Sequence, residues 1–236
     1  ILCSEKNYNI YIKYLLTIFA IIPIGLLLIM QPDIGQTLLV FLSWAILVFI
    51  SGINLLFILL FISFSFITLL YVIFFIPKFI YIKNRILSFF NPDGGTHNFQ
   101  SDKAIEAISS GGFFGKGIGE GTLKTRVPEA HTDYIISVIS EEFGVIVIIL
   151  LLIVFLFFIY NVFKKIYLEK SEKVKLVLTG AISLIIFQAL IHLGVNIRLF
   201  PTTGMTLPFL SYGGSSIVGV SILSGIILNL TKRKID

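Results

Sequence analysis

The chain has 236 residues, of which 56% are hydrophobic and 13% charged, and its net charge is +5. A water-soluble domain carries roughly a quarter of its residues charged, so the charge deficit excludes a soluble globular fold. The single cysteine, Cys3, excludes an intrachain disulfide, and the small positive balance does not call for nucleic acid as a partner.

Apolar runs recur at about 20 residues, the length at which a helix crosses hydrocarbon. The expected fold class is therefore all-α: a polytopic transmembrane helix bundle, in a single membrane domain over 1–236. Six spans are predicted. The first covers 14–30 and holds Pro23 and Gly25; the second covers 37–52 and the third 54–76. A long polar segment, 77–132, separates the third from the fourth. The last three spans are 134–163, 174–197 and 211–230. The 23 phenylalanines are scattered, as lipid-facing residues are. Gly180, Ser183, Gly219, Ser221 and Gly225 fall inside spans, where small residues let helices approach. The chain opens at Ile1 with no initiator Met and no signal-peptide pattern, so it is read as a piece of a longer protein.

Lys and Arg orient such a bundle, because they are retained on the cytoplasmic side. Lys164, Lys165, Lys170, Lys173 and Lys175 follow the fourth span, and Lys232, Arg233 and Lys234 follow the sixth. Both sets are placed in the cytoplasm, together with the C-terminus and with Lys6 and Lys13 at the other end. The segments 31–36, 77–132 and 198–210 are then extracytoplasmic. Lys78, Lys83 and Arg85 run against the rule, within a segment long enough to weaken it.

Polar residues with chemical potential crowd the outer side. Phe89 to Gly95 reads as a turn. Phe99, Ala104, Ile105 and Ile108 have roughly helical spacing and predict a short amphipathic helix at the membrane surface. The glycines of 111–121 predict a tight loop; the run is not a GxGxxG nucleotide motif, and its N–H groups suit either close packing or a substrate diphosphate. Lys124 to Asp133 is the densest charged stretch of the chain. Thr132 or Asp133 suits a helix N-cap. Asp133, Ser137, Ser140, Glu141 and Gly144 then fall on one helix face at i, i+4, i+7, i+8 and i+11. Carboxylates at membrane depth are costly and face a cavity or a partner, and Arg198 or an unseen helix is a candidate partner for Glu141 or Glu142. Two prolines and three glycines interrupt 200–216, which predicts a re-entrant or cavity-lining loop.

Three motifs now carry a resemblance. They are Gln31-Pro32-Asp33-Ile34-Gly35, Pro128-Glu129-Ala130-His131-Thr132-Asp133 with Glu141-Glu142-Phe143-Gly144, and Thr206-Leu207-Pro208-Phe209-Leu210-Ser211-Tyr212-Gly213-Gly214-Ser215-Ser216. Together they resemble the signature set of the SEDS family (FtsW, RodA, SpoVE) in the family's order. The likeness covers essentially the whole chain and matches the C-terminal six of ten spans. It sits nearer the cell-division branch than the elongation branch, with the sporulation branch as an alternative. The chain departs from the pattern at Thr203, where Lys is common, at His192, where Asn is usual, and at Arg198, where a small residue is common.

What the resemblance implies is a peptidoglycan glycosyltransferase that polymerises lipid II during septal wall synthesis, in the inner membrane at the division septum. Its partners would be a class B penicillin-binding protein (FtsI-like) and other divisome proteins. The family's catalytic aspartate aligns with Asp133, expected to act as general base. Substrate contacts are expected from Lys124, Arg126, Glu129, His131, Thr132, Glu141, Arg198, Thr206, Pro208, Ser211, Gly213, Gly214 and Ser215. No cofactor is required, although a divalent cation, Mg or Mn, is admitted at the diphosphate. The rival functions are a lipid II flippase or transporter, and a non-catalytic scaffold for the cross-linking enzyme.

Overall fold

The computed structural model describes residue 2 and residues 10–91 and 96–232. Among these residues every regular element is helical. The order is α1 (Ile10–Met30), α2 (Ile34–Ile50), α3 (Leu55–Phe75), a 3-10 turn (Pro77–Phe79), α4 (Ile80–Phe90), α5 (Thr96–Gly111), a 3-10 turn (Lys124–Arg126), α6 (Ile135–Leu168), α7 (Glu172–Asn196) and α8 (Gly214–Thr231). Five helices are long and apolar enough to cross a membrane: those beginning at Ile12, Leu55, Ile135, Glu172 and Gly214. The remaining predicted span, the second, corresponds to α2, which has 17 residues and is about 26 Å long, at the short end of what covers hydrocarbon.

The helix ends follow local chemistry. The Asp33 carboxylate accepts the Gln36 N–H at 2.9 Å and starts α2, and the Asn54 side chain accepts the Leu56 N–H at 3.0 Å and starts α3. Both satisfy donors that a helix N-terminus leaves unpaired.

The chain gathers into two compact units. One consists of 1–83, 162–187 and 226–236, the other of 84–161 and 188–225. In the first, Tyr14, Val48 and Ile58 form a small core flanked by Trp44 and Ile53. The Tyr14 hydroxyl donates to the Ser51 carbonyl at 3.2 Å. Gly25 lets the Phe41 ring close on α1, since a Cβ there would lie 2.8 Å from it. On α3, Ile58 and Ile73 are buried, while Phe57, Phe64 and Phe75 point outward as lipid-facing residues do.

In the second unit, Ile136, Ala189 and Leu207 form a core with Ile148, Phe155 and Leu193 against it. The long polar segment 77–132 holds two helices, α4 and α5, where one was expected. α4 was not foreseen: Ile82, Ile86 and Phe89 recur at i, i+4 and i+7, but eleven residues with interspersed Lys83 and Arg85 hide the period. α5 covers the predicted amphipathic helix. Its Ala104 and Ala107 are fully buried, so that face packs on protein rather than on a membrane surface. Of the turn expected at 89–95, Phe89 and Phe90 end α4, and residues 92–95 lie outside the described residues, as do Lys6, Arg233 and Lys234 of the orientation argument.

Candidate active site at the head of α6

α6 is interrupted. Gly144 has φ 78 and ψ 177 inside the helix, a conformation reserved almost entirely for glycine. The backbone groups freed by the break are taken by the glycine loop after α5. Lys116 N–H donates to the Glu141 carbonyl at 2.9 Å and Gly117 N–H to the Glu142 carbonyl at 3.0 Å. In return Val145 N–H donates to the Gly112 carbonyl at 3.0 Å. The close approach needs bare backbone on both sides. A Cβ on Gly115 would lie 2.2 Å from the Glu142 carbonyl oxygen, and one on Gly144 2.2 Å from that of Phe113. Gly111, Gly115 and Gly121 thus serve packing.

Glu141 sits inside this junction with no exposed surface. Its carboxylate accepts the Leu123 N–H at 2.9 Å and the Lys124 N–H at 2.7 Å, and Lys116 Nζ lies 3.3 Å away. Glu142 accepts the Gly119 N–H at 3.1 Å and pairs with the Lys124 ammonium. The stripe read from the sequence is real: Ser137, Ser140 and Glu141 are all buried. It faces a folded loop rather than water. Glu141 is paired, but with Lys116 and main chain rather than with Arg198, and both its oxygens are occupied.

Asp133 is different. It lies two residues before α6, with its N–H donating to the Glu129 carbonyl at 3.0 Å. Its carboxylate is half-buried and stands beside Gly204, whose missing Cβ would be 3.5 Å from Oδ2. Burial pushes this carboxyl above the ordinary aspartate range, and the neighbouring Glu129 charge pushes it further. The Thr132 side chain and the Arg85 guanidinium oppose the shift in part. The next residue, Tyr134, is buried, and burial pushes its phenol up as well.

Bonds from α7 and from residues 211–212 fix the backbone around Asp133, and two further bonds brace the 202–205 loop. Asn196, on α7, donates to the Asp133 carbonyl at 3.0 Å. One turn earlier, His192 bonds the Met205 carbonyl through Nδ1 at 2.7 Å. Ser211 Oγ donates to the Thr132 carbonyl at 2.6 Å and accepts the Leu207 N–H at 2.8 Å. Tyr212 N–H donates to the His131 carbonyl at 3.0 Å. On α4, Arg85 donates to the Thr202 carbonyl at 2.8 Å, and with Ser88, Phe89, Ser101, Phe200, Pro201 and Thr202 it lines a small pocket.

The expected substrate-contact residues therefore divide. Glu129, His131, Thr132 and Ser211 are gathered around Asp133 through the bonds just given. Glu129, with φ 54, accepts from the Thr132 hydroxyl on its carboxylate at 3.0 Å. Thr206 is engaged in a part-buried polar cluster, bonded to the Ser216 hydroxyl at 2.7 Å and the Gln188 amide at 3.1 Å. Pro208 is fully buried, and the bare Gly213 backbone fits against Thr206, to which a Cβ would come within 3.2 Å. Gly214 opens α8 in unobstructed space, and Ser215 is exposed. Lys124 is turned to Glu142 and Arg126 is exposed. Arg198 pairs with Asp102. Arg85 was missed. Its signal was present, as a cation retained on the side where the positive-inside rule disfavours it. Among the described residues no group of three or more His, Cys, Asp or Glu side chains converges.

Comparisons with known proteins follow the same lines. A profile of the FtsW/RodA/SpoVE family, described as cell cycle protein, matches residues 3–235. The probable peptidoglycan glycosyltransferase FtsW of Caulobacter vibrioides is 35% identical over 209 residues, 88% of this chain and 52% of the relative. The protein of that name from Buchnera aphidicola subsp. Baizongia pistaciae is 37% identical over 211 residues, 87% of this chain and 55% of the relative. This chain spans about half the length of these relatives. A solved structure on the structural coordination of polymerization and crosslinking by a peptidoglycan synthase complex holds a chain that superposes with a TM-score of 0.71 at 26% identity, covering 92% of this chain and 61% of that one. With the match running nearly from end to end, the chain belongs to the FtsW/RodA/SpoVE family of cell cycle proteins.

Proposed function

We propose that this chain carries the catalytic half of a peptidoglycan glycosyltransferase that joins lipid II into glycan strands in septal wall synthesis. The observation that carries the reading is Asp133, a half-buried carboxylate on backbone that α7 and Ser211 hold in place, shifted toward a better base. The relatives that match over most of the chain are named for this activity.

In the proposed reaction Asp133 takes the proton from the 4-hydroxyl of one lipid-linked disaccharide. The freed oxygen bonds to the anomeric carbon of the other, the bond from that carbon to the diphosphate breaks, and the lipid diphosphate leaves with its electron pair. A positioned base of raised pKa contributes about 10² to 10⁴ in rate. The leaving charge needs cations, and Arg85 and Arg126 are the chain's candidates, with Lys124 available when it leaves Glu142. No step is routed through a metal. The cross-linking partner is proposed to be a class B penicillin-binding protein, and the septum the place of action.

The test is strand synthesis from labelled lipid II by the full-length parent with its partner. Loss of polymer in Asp133→Asn at normal expression supports the reading. Lipid II crossing vesicle membranes without polymer would replace it with the flippase, and unaltered polymer in the variant would remove Asp133 from the chemistry.

A further inference from the structure

The most exposed apolar cluster outside the helices lies on the glycine loop. Phe113, Phe114 and Ile118 are 74%, 83% and 78% exposed. Three large apolar side chains in water would be costly, so the question is what covers them. Their level along α6 answers it. Every residue from Val145 to Ile159 is apolar, a run of about 22 Å, and Ile146, Ile149, Leu150 and Ile153 on it are exposed. Glu141 and Glu142 end the polar side just before Gly144. The break in α6 therefore marks the boundary between the polar head of the helix and its hydrocarbon run.

The loop is fastened at that boundary. Val145 N–H is bonded to the Gly112 carbonyl at 3.0 Å and Ile146 N–H to the Phe113 carbonyl at 3.4 Å. The tip is thus level with the first residues of the apolar run, and its exposed side chains stand beside an outward apolar face. Lys116, the charged residue within 112–118, is paired with Glu141, and the exposed Glu120 follows the tip. Phe and aliphatic side chains of interfacial segments bury into the boundary between headgroups and acyl chains.

We propose that the 112–118 tip is a membrane-interface anchor, with Phe113, Phe114 and Ile118 entering the boundary between headgroups and acyl chains on the Asp133 side of the bilayer. The occupant is lipid, not a protein. Because the same loop runs through the Glu141 cradle to Lys124, the anchor holds the Lys124–Asp133 stretch at headgroup level. The proposal does not depend on the reaction.

The experiment places Phe114→Trp in the full-length parent protein in liposomes and reads the added Trp emission against the parent. Brominated lipids carry the quencher either near the carbonyl end of the acyl chain or near its terminus, and acrylamide probes the water. The expected result is loss of most of the added emission to bromine near the carbonyl end, with little loss to acrylamide. Strongest quenching by bromine near the chain terminus puts the tip in the hydrocarbon core and overturns the interfacial placement. Quenching by acrylamide alone puts it in water, and quenching by neither shows that protein covers it; each overturns the proposal. Ile118→Trp repeats the reading should Phe114→Trp fail to fold.

Discussion

The sequence puts Asp133 and Glu141 on one polar stripe, about two helical turns apart, and their surroundings in the structure are opposite. Glu141 has no exposed surface and gives its oxygens to two main-chain N–H groups and Lys116. Asp133 is half-exposed, with its side chain beside a bare glycine and its charge disfavoured by burial and by Glu129. One carboxylate is consumed by folding, and the other is held ready at a cost to folding. Sequence pattern puts both on the same face; only the three-dimensional partners separate them.

The contrast breaks first at Glu141. Glu141→Ala leaves the Leu123 and Lys124 N–H groups buried without an acceptor, at about 1–3 kcal/mol each. Glu141→Gln keeps one acceptor but sets its amide NH₂ against an N–H, so an intermediate loss of roughly 1–3 kcal/mol is expected. Thermal unfolding of the full-length parent in detergent checks both. A Gln variant as stable as the parent would show that the cradle is not needed.

Gly144→Ala comes next. Its φ of 78 and ψ of 177 cost a side-chain-bearing residue about 1–3 kcal/mol, and the new Cβ would meet the Phe113 carbonyl oxygen at 2.2 Å. The glycine loop should leave the break, seen as faster hydrogen exchange at Lys116, Gly117 and Val145. Protection as in the parent would contradict the docking described here.

Smaller effects sharpen the Asp133 side. As a base Asp133 acts ionised, so activity should fall as pH drops through its raised pKa. Glu129→Gln removes a negative neighbour and should move that acidic limb down. Arg85→Gln removes a positive one and should move it up. Limbs that do not move, or move together, would show that the limb belongs to another group.

The smallest expected effect is on the stability of Asp133→Asn. The folded-state pKa lies above the unfolded value, so the fold favours the protonated form. That contribution is complete below the ordinary aspartate pKa and is lost as pH rises through the raised one. At neutral pH the ionised side chain is a burden, and the variant should melt no lower than the parent. A clear drop in melting temperature would place Asp133 with Glu141 among the structural carboxylates.

Much of this architecture was legible in the chain. The apolar runs located α1, α3, α6, α7 and α8 to within a few residues, because hydrocarbon imposes a length on any helix that crosses it. The Pro128–Asp133 motif pointed to the stretch that surrounds the half-buried carboxylate. α4 was hidden, because its apolar period is short and interrupted by cations. The break at Gly144 was hidden as well, since one glycine on a helical stripe looks like a packing residue until a loop is seen to fill the gap. Arg85 and Arg198 could not be told apart from sequence. Asp102 claims one of them and the Thr202 carbonyl orients the other, and both facts depend on partners about a hundred residues away or more.

The most direct test of the central claim is glycan-strand synthesis from labelled lipid II by the full-length parent with the class B penicillin-binding protein proposed as its partner, comparing Asp133→Asn with the unaltered protein. The account predicts loss of polymer by about 10²-fold or more with expression, melting temperature and partner binding retained. Undiminished polymer from the variant would contradict the assignment of Asp133 as the base.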